Sequence, residues 1–194
     1  MSNHVTPIAN PMGQGASFDT PDARVDAAAK GQASPVRLRE FQKEDFEELL
    51  KLDQACFSPG IAYSRDELMH YLVRPRSTSL VAESCEGVIY GFVVAENGRI
   101  ATNSSSMERA CAGHIITIDV SAKARRAGVG SMLMAGIESR LQAAHCDRIF
   151  LEVAVDNLSA ISFYKRRGYG VVKTLPRYYH RALDGLRMEK RLLI

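Results

Sequence analysis

A chain of 194 residues is long enough for one domain plus a tail. Its hydrophobic fraction of 46%, charged fraction of 24% and formal net charge of +3, with acids and bases interleaved, give no ground for a polybasic nucleic-acid binder. Cys56, Cys85, Cys111 and Cys146 make no C-x-x-C pair, no apolar run approaches the roughly 18 residues of a membrane span, and the start carries no basic-then-apolar leader, so the expectation is a cytoplasmic protein with reduced thiols, no metal site, no membrane contact and no direct nucleic-acid partner.

In chain order, residues 1–35 are rich in Gly, Pro, Ala, Ser and Asn and predict a disordered tail with a brief helix at "DARVDAAAK". A domain is expected over residues 36–194. "VRLREF" alternates like a strand, and "KEDFEELLKLDQACF" places Phe46, Leu49, Leu50 and Leu52 at helical spacing before "SPG" breaks it. "SRDELMHYLVR" opens with a capping box from Ser64 to Glu67. "TSLVAES" and "VIYGFVVAE" form a hairpin around Cys85-Glu86-Gly87, and "NGRIATNSSSMERACAG" reads as a long loop or ragged hairpin. "HIITIDV" is a strand, followed by a helix over about residues 130–144 with Val129, Met132, Leu133, Ile137 and Leu141 on one stripe. "RIFLEVAV" is a buried strand, and "DNLSAISFYKRRG" a helix with Gly168 as its C-cap. "YGVVKTL" and "LRMEKRLLI" close the chain as strands around a turn at Asp184-Gly185. The order β-α-α-β-β-β-α-β-α-β-β predicts a mixed α/β layered sheet, with a parallel pair across residues 114–155.

The segment "RRAGVGSMLM" carries the chemistry. No Lys follows Gly130, which removes a P-loop. A dinucleotide fingerprint would need Gly where Leu133 stands and a strand ending at the loop, whereas seven residues separate Val120 from Gly128; Glu152 does lie near the place of a ribose-binding acid. The pattern that fits is R-x-x-G-x-G, on Arg125, Gly128 and Gly130, running into a helix. Residues without side chains let a backbone approach a ligand, and the unpaired N–H groups of a first helical turn favour an anion. Lys123, Arg125 and Arg126 add positive charge, so the loop suits a pyrophosphate. Glu152 lies within the apolar "IFLEVAV", where a carboxylate needs a cleft or a partner.

Taken together, "IDVSAKARRAGVGSMLM", "FLEVAVDNLSAISFYKRRGY" and "PRYYHRALDGLRMEKRL" resemble the GNAT superfamily of N-acetyltransferases, over about residues 36–192. The likeness is greatest to the RimI type, which acetylates the N-terminal alanine of a ribosomal protein. The resemblance implies the GNAT fold, acetyl-CoA as co-substrate, and a set of roles. Ile118, Asp119 and Val120 lie on the strand that pairs with the pantetheine arm. Arg125, Arg126, Ala127, Gly128, Val129, Gly130 and Ser131 supply the pyrophosphate loop, and Asn157 holds the cofactor beside them. Glu152 is the implied general base and Tyr164 the implied general acid. Tyr63, Tyr178 and Tyr179 line the acceptor side.

Each implied role has a plain structural alternative: Glu152 facing solvent, Tyr164 as core, Asn157 as an N-cap and the tyrosines as packing; His114, at a strand start, is a second candidate base whose alternative is a structural role. Ala122 stands where the family often has Pro, and Arg177 where the RimI type carries Asn. The expected activity is direct acetyl transfer to a primary amine. The first candidate acceptor is a protein N-terminal α-amine, such as that of a ribosomal protein. A small-molecule amine (polyamine, antibiotic or amino acid) and a non-catalytic acyl-CoA-binding domain remain alternatives.

Overall fold

A computed structural model describes residues 35–57, 61–100, 110–179 and 182–192. The expected tail with its short helix, the "SPG" breaker and part of the long loop fall outside the described residues. The strands are β1 (Val36–Glu40), β2 (Ser77–Ser84), β3 (Ile89–Ile100), β4 (Ala110–Val120), β5 (Arg148–Ala154), β6 (Gly170–Tyr179) and β7 (Leu183–Arg191). The helices are α1 (Phe46–Cys56), α2 (Arg65–Val73), α3 (Val129–Ala143) and α4 (Leu158–Arg166), in the expected order.

One sheet runs β1-β2-β3-β4-β5-β7-β6. Every neighbouring pair is antiparallel except β4 with β5. Strand alternation divides the apolar residues between two layers. Leu80, Ala82, Val93, Ala95, Ile149, Leu151 and Val153 face α3 and α4 in one core. Val81, Phe92, Val94 and Ile116 face α1 and α2 in a second. Ser64 and Glu67 do form the capping box that starts α2, and Gly168, at φ +89°, ends α4.

Of the two readings of the long segment, the ragged hairpin is the one observed: residues 97–100 and 110–113 are strand, and β3 and β4 form a long antiparallel ribbon down to Ile100 opposite Ala110. Their polar, Gly-containing sequence left this open, because the ribbon here is held by backbone pairing. One expectation is corrected: Asp184-Gly185 is not the closing turn. Both residues lie inside β7, where Gly185 pairs with Leu175 on one side and Ala154 on the other. A Cβ on Gly185 would come 3.2 Å from the Tyr178 side chain, so this glycine makes room for a ring. The Asp184 carboxylate accepts the Arg177 N–H at 2.7 Å, across a bulge in β6 where Arg177 has φ +50°.

The centre of the sheet positions the site. β4 and β5 pair only at Ala112–Arg148, Gly113–Ile149 and His114–Phe150. Beyond that, β4 stays with β3 to Val120, and β5 stays with β7 to Ala154. The β3–β4 register jumps from Val94–Thr117 to Ala95–Ile115, which leaves Ile116 as a bulge. A bulge bends its strand, and this one falls two residues past the last shared rung. The sheet therefore divides into two halves there, with a cleft between the later parts of β4 and β5.

Candidate active site

The glycine loop stands at the β4 side of the cleft. Gly128 is the N-cap of α3 in the left-handed region, at φ +87°, and Arg126 has φ +61°. A Cβ on Gly128 would meet nothing within 4 Å, so the loop presents open backbone. The first ladder bond of α3 runs from the Met132 N–H to the Gly128 carbonyl at 3.0 Å. The N–H groups of Val129, Gly130 and Ser131 therefore precede the ladder and point from the helix start. Alternation of left- and right-handed residues ahead of a helix makes an anion-binding concavity.

Arg125 behaves differently from its neighbours. Its Nε donates to the Val120 carbonyl at 3.1 Å, and an Nη donates to Cys56 Sγ at 3.7 Å. It braces the loop from beneath, while Arg126, Ala127, Gly128 and Ser131 are exposed. Ile118 and Val120 are buried toward α3. Asp119 is fully buried, its Oδ2 accepting from Thr117 at 3.0 Å while Oδ1 has no partner among the described residues. Burial, and next the charge of Asp53, hold the Asp119 carboxyl well above the usual range.

Asn157 caps α4: its Oδ1 accepts the Ala160 N–H at 2.9 Å. Tyr164 is buried in the core under α4, edge-to-face with Phe163 and Tyr169. Burial, followed by Tyr179 and Asp119, drives its hydroxyl far above the ordinary phenol range, so it stays protonated. Asp119 on β4 and Tyr179 on β6 are thus both within electrostatic reach of the Tyr164 hydroxyl.

Glu152 does not face solvent; it is 6% exposed. Strand alternation turns it to the α1–α2 side, opposite Leu151 and Val153. Its Oε2 lies 2.8 Å from His114 Nε2, and its Oε1 lies 3.9 Å from Arg187 Nε on β7. His114 stacks on Phe150 with centroids 4.3 Å apart, and the Arg187 guanidinium lies 3.8 Å from the same ring's centroid. The lone carboxylate in the apolar strand thus has its partners, on β4 and on β7. The His114–Glu152 contact joins residues 38 apart at the last rung of the β4–β5 ladder. The sequence offered His114 as a structural strand residue or a base in its own right; its place on the last rung before the strands part brings it to Glu152.

The expected acceptor tyrosines gather around this pair. Tyr63 is 3% exposed, packs edge-to-face on Tyr71, and its hydroxyl donates to the carbonyl of the bulged Ile116 at 3.4 Å. Tyr178 is half-buried, and burial, with Glu152 next, pushes its hydroxyl above the ordinary range. Tyr179 is fully buried beside it, and its hydroxyl has no hydrogen-bond partner among the described residues. Tyr71 on α2, which also influences Tyr178, is a wall residue the sequence reading passed over.

A family model described as the acetyltransferase (GNAT) family matches residues 41–169. An N-alpha-acetyltransferase of Sulfurisphaera tokodaii is 27% identical over 157 residues, covering 78% of this chain and 89% of its own length. The crystal structure of Arabidopsis thaliana NAA60 in complex with acetyl-CoA superposes with a TM-score of 0.72 at 19% identity, covering 81% of this chain and 99% of that one. The ribosomal-protein-S18-alanine N-acetyltransferase of Escherichia coli superposes with a TM-score of 0.68 at 15% identity, covering 82% and 96%.

Proposed function

The chain belongs to the GNAT family of acetyltransferases, and on that premise we propose that it transfers the acetyl group of acetyl-CoA to the α-amine of a protein N-terminus. The observation that carries the acceptor assignment is the wall around Glu152. It holds the Glu152 carboxylate flanked by His114 and Arg187, with Phe150, Tyr71 and Tyr178 beside it. A polyamine would call for a cluster of free acids, whereas Glu152 has bases, His114 and Arg187, at its side. A peptide terminus brings one ammonium and an apolar flank, which suits one carboxylate among aromatic rings.

The residues at the head of α3 fit the cofactor's pyrophosphate: open backbone at Gly128, N–H groups ahead of the ladder, and the exposed Arg126. When bound, acetyl-CoA supplies an activated acetyl thioester. Glu152, steadied by His114, accepts a proton from the incoming ammonium. An α-amine has a pKa near 8, so roughly a tenth is already neutral at pH 7, and the carboxylate has a smaller task than a lysine side chain would set. Tyr164, kept protonated by burial, donates to the departing thiolate. Transfer is direct. Cys56, the thiol beneath the loop, is buried, donates to the Val120 carbonyl at 3.5 Å, and is pushed up to about 11 by burial, all of which make it a poor nucleophile.

The test is mass spectrometry of peptides, proteins and small amines incubated with the chain and isotope-labelled acetyl-CoA. Label at peptide α-amines is the expected result. Label confined to small amines would overturn the acceptor assignment, and cofactor binding with no label on any amine would leave a binding domain.

A further inference from the structure

Away from the cleft, two thiols face each other across the base of the sheet. Cys111 lies near the start of β4, and Cys146 lies between α3 and β5. Their sulfurs are 2.8 Å apart, 35 residues apart in sequence. Main-chain bonds fix both ends: the Asp147 N–H donates to the Cys111 carbonyl and the Cys146 N–H to the Leu141 carbonyl, each at 3.0 Å. Cys146 is fully buried in the core, whereas Cys111 is half-buried. We propose that Cys111 and Cys146 are a modification site, forming a reversible disulfide by exchange with a low-molecular-weight disulfide such as oxidised glutathione.

The bond needs the sulfurs to close from 2.8 Å to about 2.05 Å, between backbones already joined by the Asp147–Cys111 main-chain bond. Cys111 is the sulfur an outside reagent reaches. Its thiolate attacks the reagent, one thiol leaves, and a mixed disulfide remains on Cys111. Cys146 then attacks the Cys111 sulfur, its proton passing to the second departing thiolate. Two protein thiols become one disulfide, and one reagent disulfide becomes two thiols. Cys146, fully buried, is out of an outside reagent's reach, and its place 2.8 Å from the Cys111 sulfur suits it to the second step, although burial raises its thiol to about 12 and slows that attack. The bond would tie β4 to the residue before β5, just ahead of the rungs Ala112–Arg148, Gly113–Ile149 and His114–Phe150 that close the cleft. It would also span α3 and its loop, restricting the unfolded chain.

The experiment treats the full chain with oxidised glutathione, then records intact mass, a non-reducing peptide map and thermal unfolding. Exposed Cys85 serves as the internal control, since its glutathione adduct shows that the reagent has acted. The expected result, beyond the mass of the Cys85 adduct, is loss of two hydrogen masses, a peptide linking Cys111 to Cys146, and a Tm higher by about 5 °C, all reversed by dithiothreitol. With Cys146→Ser, Cys111 should keep a glutathione adduct instead. The proposal is overturned if Cys85 is modified while Cys111 and Cys146 remain thiols, or if each carries its own adduct in the wild-type chain. The peptide map decides in the wild-type chain even if the serine variant fails to fold.

Discussion

Replacing Tyr179 with Phe should make the protein more stable and less active. Tyr179 is fully buried, and its hydroxyl finds no partner among the described residues. An unsatisfied buried hydroxyl costs about 1–3 kcal/mol. Phe keeps the ring and its edge-to-face contact with Tyr178 at 5.2 Å while removing that cost. Near the lower figure, the gain corresponds to a Tm rise of about 2–4 °C for a domain of this size. The hydroxyl also lies close enough to Glu152 and Tyr164 to affect the electrostatics of the site. If it awaits a polar group of the reacting substrates, Phe forfeits one hydrogen bond of about 1.5–3 kcal/mol, a fall of roughly ten- to a hundredfold in kcat/KM. Thermal denaturation and steady-state kinetics on one preparation read both effects. A lower Tm would mean that the hydroxyl serves the fold. A higher Tm with unchanged kcat/KM would mean that it serves nothing, and either outcome refutes the reasoning.

Glu152→Gln should leave acetyl-CoA affinity intact in calorimetry and lower kcat by about 10²–10⁴-fold, with the greatest loss below pH 7, where the acceptor amine is charged; an unaltered rate would remove the base assignment. Gly128→Ala should destabilise by about 1–2 kcal/mol, since a side chain at φ +87° is strained even though nothing crowds it. Gly130→Ala should be milder, its Cβ meeting Phe163 at an ordinary 3.6 Å, whereas Gly130→Glu should abolish cofactor binding by placing a carboxylate among the loop N–H groups. Burial lifts the Asp53 carboxyl up to about 7. A folded-state value above the unfolded one, about 3.9, means that the native chain holds the proton more tightly. The resulting stability is complete below about pH 4 and lost as pH rises through about 7. Asp53→Asn keeps an acceptor for the Tyr63 N–H, bonded at 2.8 Å in the wild type. The wild type should therefore lose stability relative to the variant between about pH 4 and pH 7 in urea titrations, and a pH-independent difference would contradict the burial argument.

Much of the site was legible because its parts are local. A loop of two glycines at a helix start, a carboxylate in an apolar strand and an Asn ahead of a helix are each visible within a few residues. The roles that needed a distant partner were not. Arg125 reads as a ligand beside the glycines, yet its guanidinium goes to Val120 and Cys56. His114 reads as a structural residue or a lone base, and only β5 brings Glu152 to it. Asp184-Gly185 has turn chemistry, but its glycine serves the close approach of Tyr178 within a strand.

Sequence alone determined the seven strands and four α-helices of the described residues in their order, because hydrophobic period and chain breakers act over a few residues. It also determined the parallel pairing of β4 with β5, because a strand-helix-strand crossover returns in the same direction. Only the tertiary structure decided where that pairing ends. The bulge at Ile116 exists through the register of β3 against β4, and the cleft exists because β5 then follows β7 instead. Register is a relation between segments far apart in the chain, so the opening that gathers Glu152, His114, Tyr164 and Tyr179 is a property of the assembled sheet.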